Sequence, residues 1–348
     1  MPARISASRR GKAATRPSQL KWKDWKAILL RVSDNLGHHN VYLVAGGISF
    51  FSILALFPAI AAIIGIYGLI SDPEVISSQI QTLEQFLPPD AYGLIRDQTR
   101  DLLLTDRQAL SLGSIIAIGF ALWSARTGVG AMMDGVNISY SEANERGFIA
   151  HYAISLLLTF VFILVVVAAI LAIIVLPAVL QMLHLDGVLG WLASIARWPV
   201  LILALMFGLA VLYRYGPQRH TARLPWITWG AALATLLWVI GSLGFSWYVS
   251  NFANYNATYG SLGAIVGLML WFYLGAYAIL LGAELNAEME HQTAHDSTTG
   301  PEKPLGKRGA YVADHVPGRS PERDEAYSGV ENRGDAQDDR KAAAEPEG

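Results

Sequence analysis

The stretch 224–283, LPWITWGAALATLLWVIGSLGFSWYVSNFANYNATYGSLGAIVGLMLWFYLGAYAILLGA, holds no Asp, Glu, Lys, Arg or His. A helix rises about 1.5 Å per residue, so about 20 apolar residues cross the ~30 Å hydrocarbon layer of a bilayer. The stretch is long enough for two crossings and divides at its polar centre, Asn251 to Gly260. It predicts an all-α, polytopic integral membrane protein.

Working outward, apolar runs recur at 41–70, 110–133, 148–182, 198–213, 226–249 and 259–283, which predicts six transmembrane helices. The first and third runs exceed what a perpendicular crossing needs, so tilt or kinks near Pro58 and Pro177 are expected. The first run follows a long basic segment, as an uncleaved anchor does. Residues before Val41 carry Arg4, Arg9, Arg10, Lys12, Arg16, Lys21, Lys23, Lys26 and Arg31, and the turn after the fourth run carries Arg214, Arg219 and Arg223. By the positive-inside rule both belong to the cytoplasm, and an even number of spans returns the C-terminus there.

The domain division follows. Residues 1–40 form a basic cytoplasmic arm in which Trp22, Trp25, Leu29, Val32 and Leu36 recur at helical spacing, the pattern of a helix lying in the membrane interface and drawn to anionic lipids. Residues 41–290 form the six-helix domain, with an extracytoplasmic helical hairpin at about 71–109 built on Ile76, Ile80, Leu83 and Leu87, then Pro88-Pro89-Asp90. Residues 291–348 are rich in Gly, Pro, Asp and Glu, with no helical period, and are expected to be a disordered acidic cytoplasmic tail.

Hydrophobic residues make up 53% of the chain and charged ones 16%, against the ~25% charged usual in soluble domains. Without cysteine there is no disulfide, thiolate nucleophile or Cys-ligated metal. Zinc-hydrolase spacing, a Walker A loop and a nucleophile elbow are absent, so no catalytic residue, cofactor or metal site is expected and the chain reads as a non-enzyme. The basic arm is explained by topology and anionic lipid attraction without nucleic acid.

Two groups of polar residues could carry function. Arg126 is the sole formal charge within the second run, and an arginine at depth costs several kcal/mol unless it snorkels, pairs or faces water. At 100° per residue, Trp123, Arg126, Gly130, Met133 and Asn137 share a face, with Asp134 about 80° from Arg126. On the sixth run Tyr273, Tyr277, Glu284, Glu288 and His291 fall in one narrow arc. Arg126, Asp134, Asn137, Glu284, Asn286 and Glu288 are therefore the candidate inner polar site, in which Glu284 could bind a proton or cation or pair with Arg126 or Arg214. The alternative is that Arg126 and Glu284 mark the water boundary. The candidate outer polar site is Asn251, Asn254, Asn256, Thr258 and Tyr259, uncharged hydrogen-bonding groups suited to headgroup contacts or to a plain capped turn. Gly260, Gly263 and Gly267, with Ala45, Ser49 and Ser52, supply small-residue faces for helix packing within one chain or between copies.

Ala45-Gly-Gly-Ile-Ser-Phe-Phe-Ser-Ile-Leu-Ala-Leu-Phe-Pro58, Leu122-Trp-Ser-Ala-Arg-Thr-Gly-Val-Gly-Ala-Met-Met-Asp-Gly-Val-Asn137, Tyr213-Arg-Tyr-Gly-Pro217 and Leu281-Gly-Ala-Glu-Leu-Asn-Ala-Glu288 together resemble the YihY/BrkB inner-membrane family over roughly Val41 to Glu290. Val136-Asn-Ile-Ser-Tyr140 departs mildly from that family's Leu-Asn-x-Ala-Tyr theme. The resemblance implies a six-helix bacterial inner-membrane protein, of a family whose members have been labelled ribonuclease BN, virulence factor or envelope export protein. A ribonuclease assignment is not expected, since nothing here could hold the catalytic metals of a zinc-dependent nuclease. The leading expectation is a carrier or export factor for an amphiphilic, lipid-like or lipopolysaccharide-like envelope component. The second is a structural or partner-binding envelope protein, acting as a homo-oligomer or with another membrane protein.

Overall fold

The computed structural model describes residues 14–70, 96, 107–143, 146–170, 188–252 and 261–316. Its helices are α1 (Trp22–His38), α2 (Val41–Ile70), α3 (Arg107–Ser139), α4 (Phe148–Ile170), α5 (Val188–Tyr215), α6 (Leu224–Phe252), α7 (Ser261–Gln292) and the single turn α8 (Tyr311–Asp314). Among the described residues there is no strand, only an isolated antiparallel bridge between Ala222 and Thr298. The expected outer hairpin at 71–109, apart from Arg96 and the start of α3, lies outside the described residues. So do the Pro177 kink, the outer-site residues Asn254, Asn256, Thr258 and Tyr259, the Asn251 side chain, and residues 317–348.

Long, continuous helices follow from the bilayer as solvent, which forces every backbone group to find its partner within the segment. Hydroxyls obey the same constraint: Ser52 donates to Ile48 O (2.8 Å), Thr159 to Ser155 O (2.7 Å) and Thr235 to Ala231 O (2.8 Å). Two helices end in left-handed residues, Asn40 after α1 (φ 50°) and Ser141 after α3 (φ 54°), a conformation that turns the chain and closes the last carbonyls.

Among the described residues, five helices are long and apolar enough to cross a membrane, over Val41–Pro58, Phe148–Ala169, Trp198–Tyr215, Leu224–Val249 and Ile265–Gln292. Their outer faces present Leu157, Phe160, Leu203, Phe207, Leu243 and Trp247. Such surface is what acyl chains cover. The second of the six expected spans corresponds to α3, which carries Arg126 and Asp134 within it. It nevertheless lies antiparallel along α2: Ser124 donates to Leu54 O (3.3 Å), and further along Gly135 faces Val44 and Ile48.

At the centre stands α7, which packs against α1, α2, α3, α6 and α8. With α6 it forms an antiparallel pair whose closest approach is Gly230 against Gly282. A Cβ on Gly230 would lie 2.1 Å from Gly282 O, and one on Gly282 would lie 2.5 Å from Gly230 O. No residue but glycine fits there. Further along, Trp238 and Trp271 meet edge-on with centroids 5.9 Å apart, and Trp271 Nε1 donates to Ser242 (3.3 Å).

Two expectations need correction. The apolar stripe of α1 is divided: Ile28 and Val32 are buried against Trp226, Leu285 and Met289, while Trp22 and Leu29 stay exposed. The helix is thus docked on the bundle as well as amphipathic. The tail expected to be disordered from 291 is ordered through 316. Polar chemistry orders it, together with burial of Val312 in the core and of Ala310, Ala313 and Val316. Arg308 donates to the carbonyls of Ala294 (2.6 Å), His295 (3.2 Å), Lys303 (3.1 Å) and Ala313 (2.7 Å), and Asp314 accepts from the amides of Gly306 (2.7 Å), Arg308 (3.0 Å) and Gly309 (3.0 Å).

Substituting Gly230 by Val is expected to destabilise the detergent-solubilised protein by roughly 1–3 kcal/mol or more, the range for forced overpacking. Thermal unfolding against a Gly241→Val control, at a position with open space around it, checks this; equal melting of the two variants would contradict the close α6–α7 contact.

A candidate functional site at the polar end of the bundle

The last turns of α7 bring Glu284, Asn286, Glu288, Glu290 and Gln292 into the interior, with Glu284, Asn286 and Glu290 each fully buried. Buried charge must be paired to persist. Each carboxylate meets a cation or imidazole from a different part of the chain. Glu284 takes His39 Nδ1, from the turn between α1 and α2, at 2.6 Å. Glu288 takes the Arg31 guanidinium of α1 and Asn35 Nδ2 (2.8 Å). Glu290 takes Arg219 Nη2 (2.5 Å), from the turn between α5 and α6, and the Ser297 hydroxyl (2.7 Å).

Asn286 points to the other side, accepting from Gly230 N (2.8 Å) and donating to Ile227 O (3.2 Å), so it fastens α7 to α6. Asn137 accepts from Gln218 N (2.6 Å) and fastens the end of α3 to the turn between α5 and α6. That turn contains the Tyr213-to-Pro217 motif, and Arg146 explains it. Its guanidinium donates to Gly216 O (2.8 Å) and Pro217 O (2.6 Å), closing the exposed carbonyls at the end of α5. Tyr213 reaches across to Ile279 O (2.7 Å).

The ordered tail covers this assembly. Thr299 N donates to Thr221 O (2.9 Å), Arg223 N to Ser297 O (2.9 Å), and Tyr311 N to the Glu142 carboxylate (2.8 Å). Beneath it lies Tyr140, fully buried, with Arg219 over its ring at 4.9 Å. Several buried polar atoms here have no protein partner: Glu284 Oε2, Glu290 Oε1, Tyr140 Oη, Ser139 Oγ, Asn137 Nδ2 and Arg219 Nη1.

The electrostatics follow from these contacts. The hydrogen bond that His39 donates to Glu284 holds His39 above its ordinary value, with burial opposing and the charges of Glu284 and Glu288 assisting. Burial pulls Arg219 downward, but Glu290, Tyr140 and Glu142 together outweigh it and leave Arg219 raised. Burial, with Glu290 assisting, pushes the Tyr140 phenol far above its usual range. Burial raises Glu142, against the Tyr311 amide.

The six candidate inner-site residues divide into separate places. Glu284, Asn286, Glu288 and Asn137 belong to the polar end. Arg126 instead faces α4, its guanidinium over the Tyr152 ring at 4.2 Å, and Asp134 faces His151 at 3.9 Å. Glu284 pairs with His39 rather than with Arg126 or Arg214. The Trp123–Asn137 face is interior only in part: Met133 and Asn137 are buried while Trp123 is exposed. Sequence reasoning missed His39, Arg31, Arg219, Glu290 and Tyr140 as partners. Among the described residues, no three His, Asp or Glu side chains are placed to hold a metal ion.

A second feature lies deeper. A partly open cavity of about 170 Å³ lies among α2, α3, α5, α6 and α7, with Ile48, Met132, Leu209, Trp238, Trp271 and Ala276 in its walls.

Comparison with known proteins adds three findings. The family described as virulence factor BrkB matches residues 32–306, a range that includes much of the ordered tail. The Bacillus subtilis (strain 168) ribonuclease-like protein YfkH is 35% identical over 249 residues, covering 69% of this chain and 86% of that protein. A UPF0761 membrane protein of Xanthomonas axonopodis pv. citri is 43% identical over 100 residues, which is 28% of this chain and 23% of that longer protein. No solved structure matches the chain.

A group whose folded pKa is raised contributes stability that is present below its unfolded value, about 6.5 for histidine, and is lost as pH rises through the folded value. The His39–Glu284 contact therefore predicts that the melting temperature of the wild type falls from pH 6 to pH 9 relative to that of His39→Ala. Parallel curves over that window would show that the pair contributes nothing.

Proposed function

The chain belongs to the virulence factor BrkB family of membrane proteins, and on that premise we propose that it is a carrier or export factor for an amphiphilic envelope component, lipid-like or lipopolysaccharide-like. The observation that carries this reading is the partly open, apolar cavity among the membrane helices. Its volume is comparable to that of an engineered apolar cavity of about 150 Å³ that stays dry and binds benzene. An apolar void of this size among packed membrane helices suits a segment of hydrocarbon chain. Ser52 and the two indoles, Trp238 and Trp271, add a few polar edges to otherwise apolar walls.

The reading takes the protein as a non-enzymatic, multi-pass protein of the bacterial inner membrane with both termini in the cytoplasm. The Lys and Arg of the N-terminal arm and of the turn at 214–223 support that orientation. The polar end would then face the cytosol, closed by the segment 293–316, so an amphiphile would enter from the bilayer rather than through the polar end.

A second reading, a scaffold that binds another membrane protein or a second copy of itself, is favoured by one observation. The segment 293–316 is held by specific side-chain bonds and presents a folded surface at the polar end.

In proteoliposomes the wild type is expected to move a labelled lipid or lipopolysaccharide-like probe faster than empty vesicles. Ala276→Phe, which fills the cavity from its wall, is expected to cut that flux at least tenfold at matched folded protein. No flux above empty vesicles across probes and under a proton gradient, with stoichiometric copurification of another membrane protein, would replace the carrier reading with the scaffold.

A further inference from the structure

We propose that Arg126 and His151, across the gap that Gly130 leaves between α3 and α4, bind the phosphate of an anionic lipid headgroup. The inference is independent of transport: the site holds a headgroup whether or not the chain moves lipid.

Arg126 sits beside apolar membrane helix. Two residues on, a Cβ on Gly128 would lie 3.8 Å from the Phe51 carbonyl oxygen and 3.9 Å from Ser52 N, both within the α2 span Val41–Pro58. A guanidinium there requires a counter-charge or water. The other cations of the assembly illustrate the rule: Arg31 has Glu288, and Arg219 has Glu290. Among the described residues no carboxylate pairs with Arg126. Its guanidinium lies over the Tyr152 ring, and among the described residues its buried Nε has no hydrogen-bond partner. The nearest acid along the helix, Asp134, is turned to His151 Nδ1.

Gly130 provides the space. A Cβ at that position would lie 3.5 Å from Arg126 Nη2 and 3.5 Å from His151 Nε2, so the two nitrogens flank one point that no side chain fills. The planar fork of Arg126 matches two phosphate oxygens, and His151 Nε2 can donate to a third in the tautomer or charge state that carries a proton there. Trp123, Phe148 and Ile149 are exposed around the site, by 53%, 79% and 83%. That apolar rim favours a phosphate attached to acyl chains over a free ion, as basic pockets between membrane helices do.

The test is native mass spectrometry of the delipidated full chain in detergent, titrated with phosphatidic acid, with diacylglycerol and with inorganic phosphate. Wild type is expected to retain phosphatidic acid well over diacylglycerol. Arg126→Gln should weaken retention at least tenfold, with Arg126→Lys intermediate. Gly130→Leu, which keeps both cationic groups but fills the gap, should weaken it comparably. Gly130→Ala, whose Cβ meets only ordinary contacts, controls for folding, and every variant is checked by its melting temperature. Inorganic phosphate binding as tightly as phosphatidic acid, with the same dependence on Arg126, would support the site with a soluble source of phosphate. Retention by folded Arg126→Gln and Gly130→Leu equal to wild type, or equal retention of diacylglycerol, would overturn it. Loss of flux with phosphatidic acid retention unchanged in the Ala276→Phe protein would separate failure of the cavity from failure of this site.

Discussion

Three carboxylates buried on the last two turns of α7 hold the polar end of this protein together. Glu284, Glu288 and Glu290 are met by His39, Arg31 and Arg219, partners separated from them by 245, 257 and 71 residues. Removing one member of a buried pair leaves an uncompensated charge at a cost of about 3–5 kcal/mol, so each carboxylate selects one arrangement of a distant segment. The start of α2, the docking of α1 and the turn between α5 and α6 are placed by the same helix. The ordered tail is joined to it through Ser297, which shares Glu290 with Arg219. Apolar burial alone would specify this less well, because in a membrane bundle lipid is as good a neighbour as another helix.

The membrane helices were legible because their signal is local: charge-free runs longer than the bilayer is thick. The run at 110–133 was legible in the same way despite Arg126, and it falls within α3, which packs along α2. Glu284 and Glu288 could be singled out from their helical arc. Their partners could not, since spacing along one helix says nothing about which remote loop returns to it. Arg219 read as a topology charge, and no spacing singled out His39. Placing Arg126 with Glu284 joined two residues that share only rarity, and the fold sends them to different neighbours.

The tail failed for a different reason. Composition judges whether a segment can bury enough apolar surface, and 293–316 offers little beyond Ala310, Val312, Ala313 and Val316. Its order comes from Arg308 and Asp314, each binding several backbone groups, with Gly300, Gly306 and Gly309 adopting left-handed turns (φ 101°, 87° and 70°). No period in the sequence marks such a structure. It also changes the functional picture: a folded cap at the polar end directs attention away from that opening and towards the cavity and the lipid-facing site at Arg126.

The central claim is that the α7 carboxylates and their distant cations act as coupled pairs, and a double-mutant cycle on Arg219 and Glu290 tests it most directly. Thermal unfolding in detergent at neutral pH would be compared for wild type, Arg219→Ala, Glu290→Ala and the double variant. Coupling predicts that the double variant is little less stable than either single one, because the second substitution removes a charge already left unpaired. Destabilisations that simply add would contradict the claim and show that the two groups act independently.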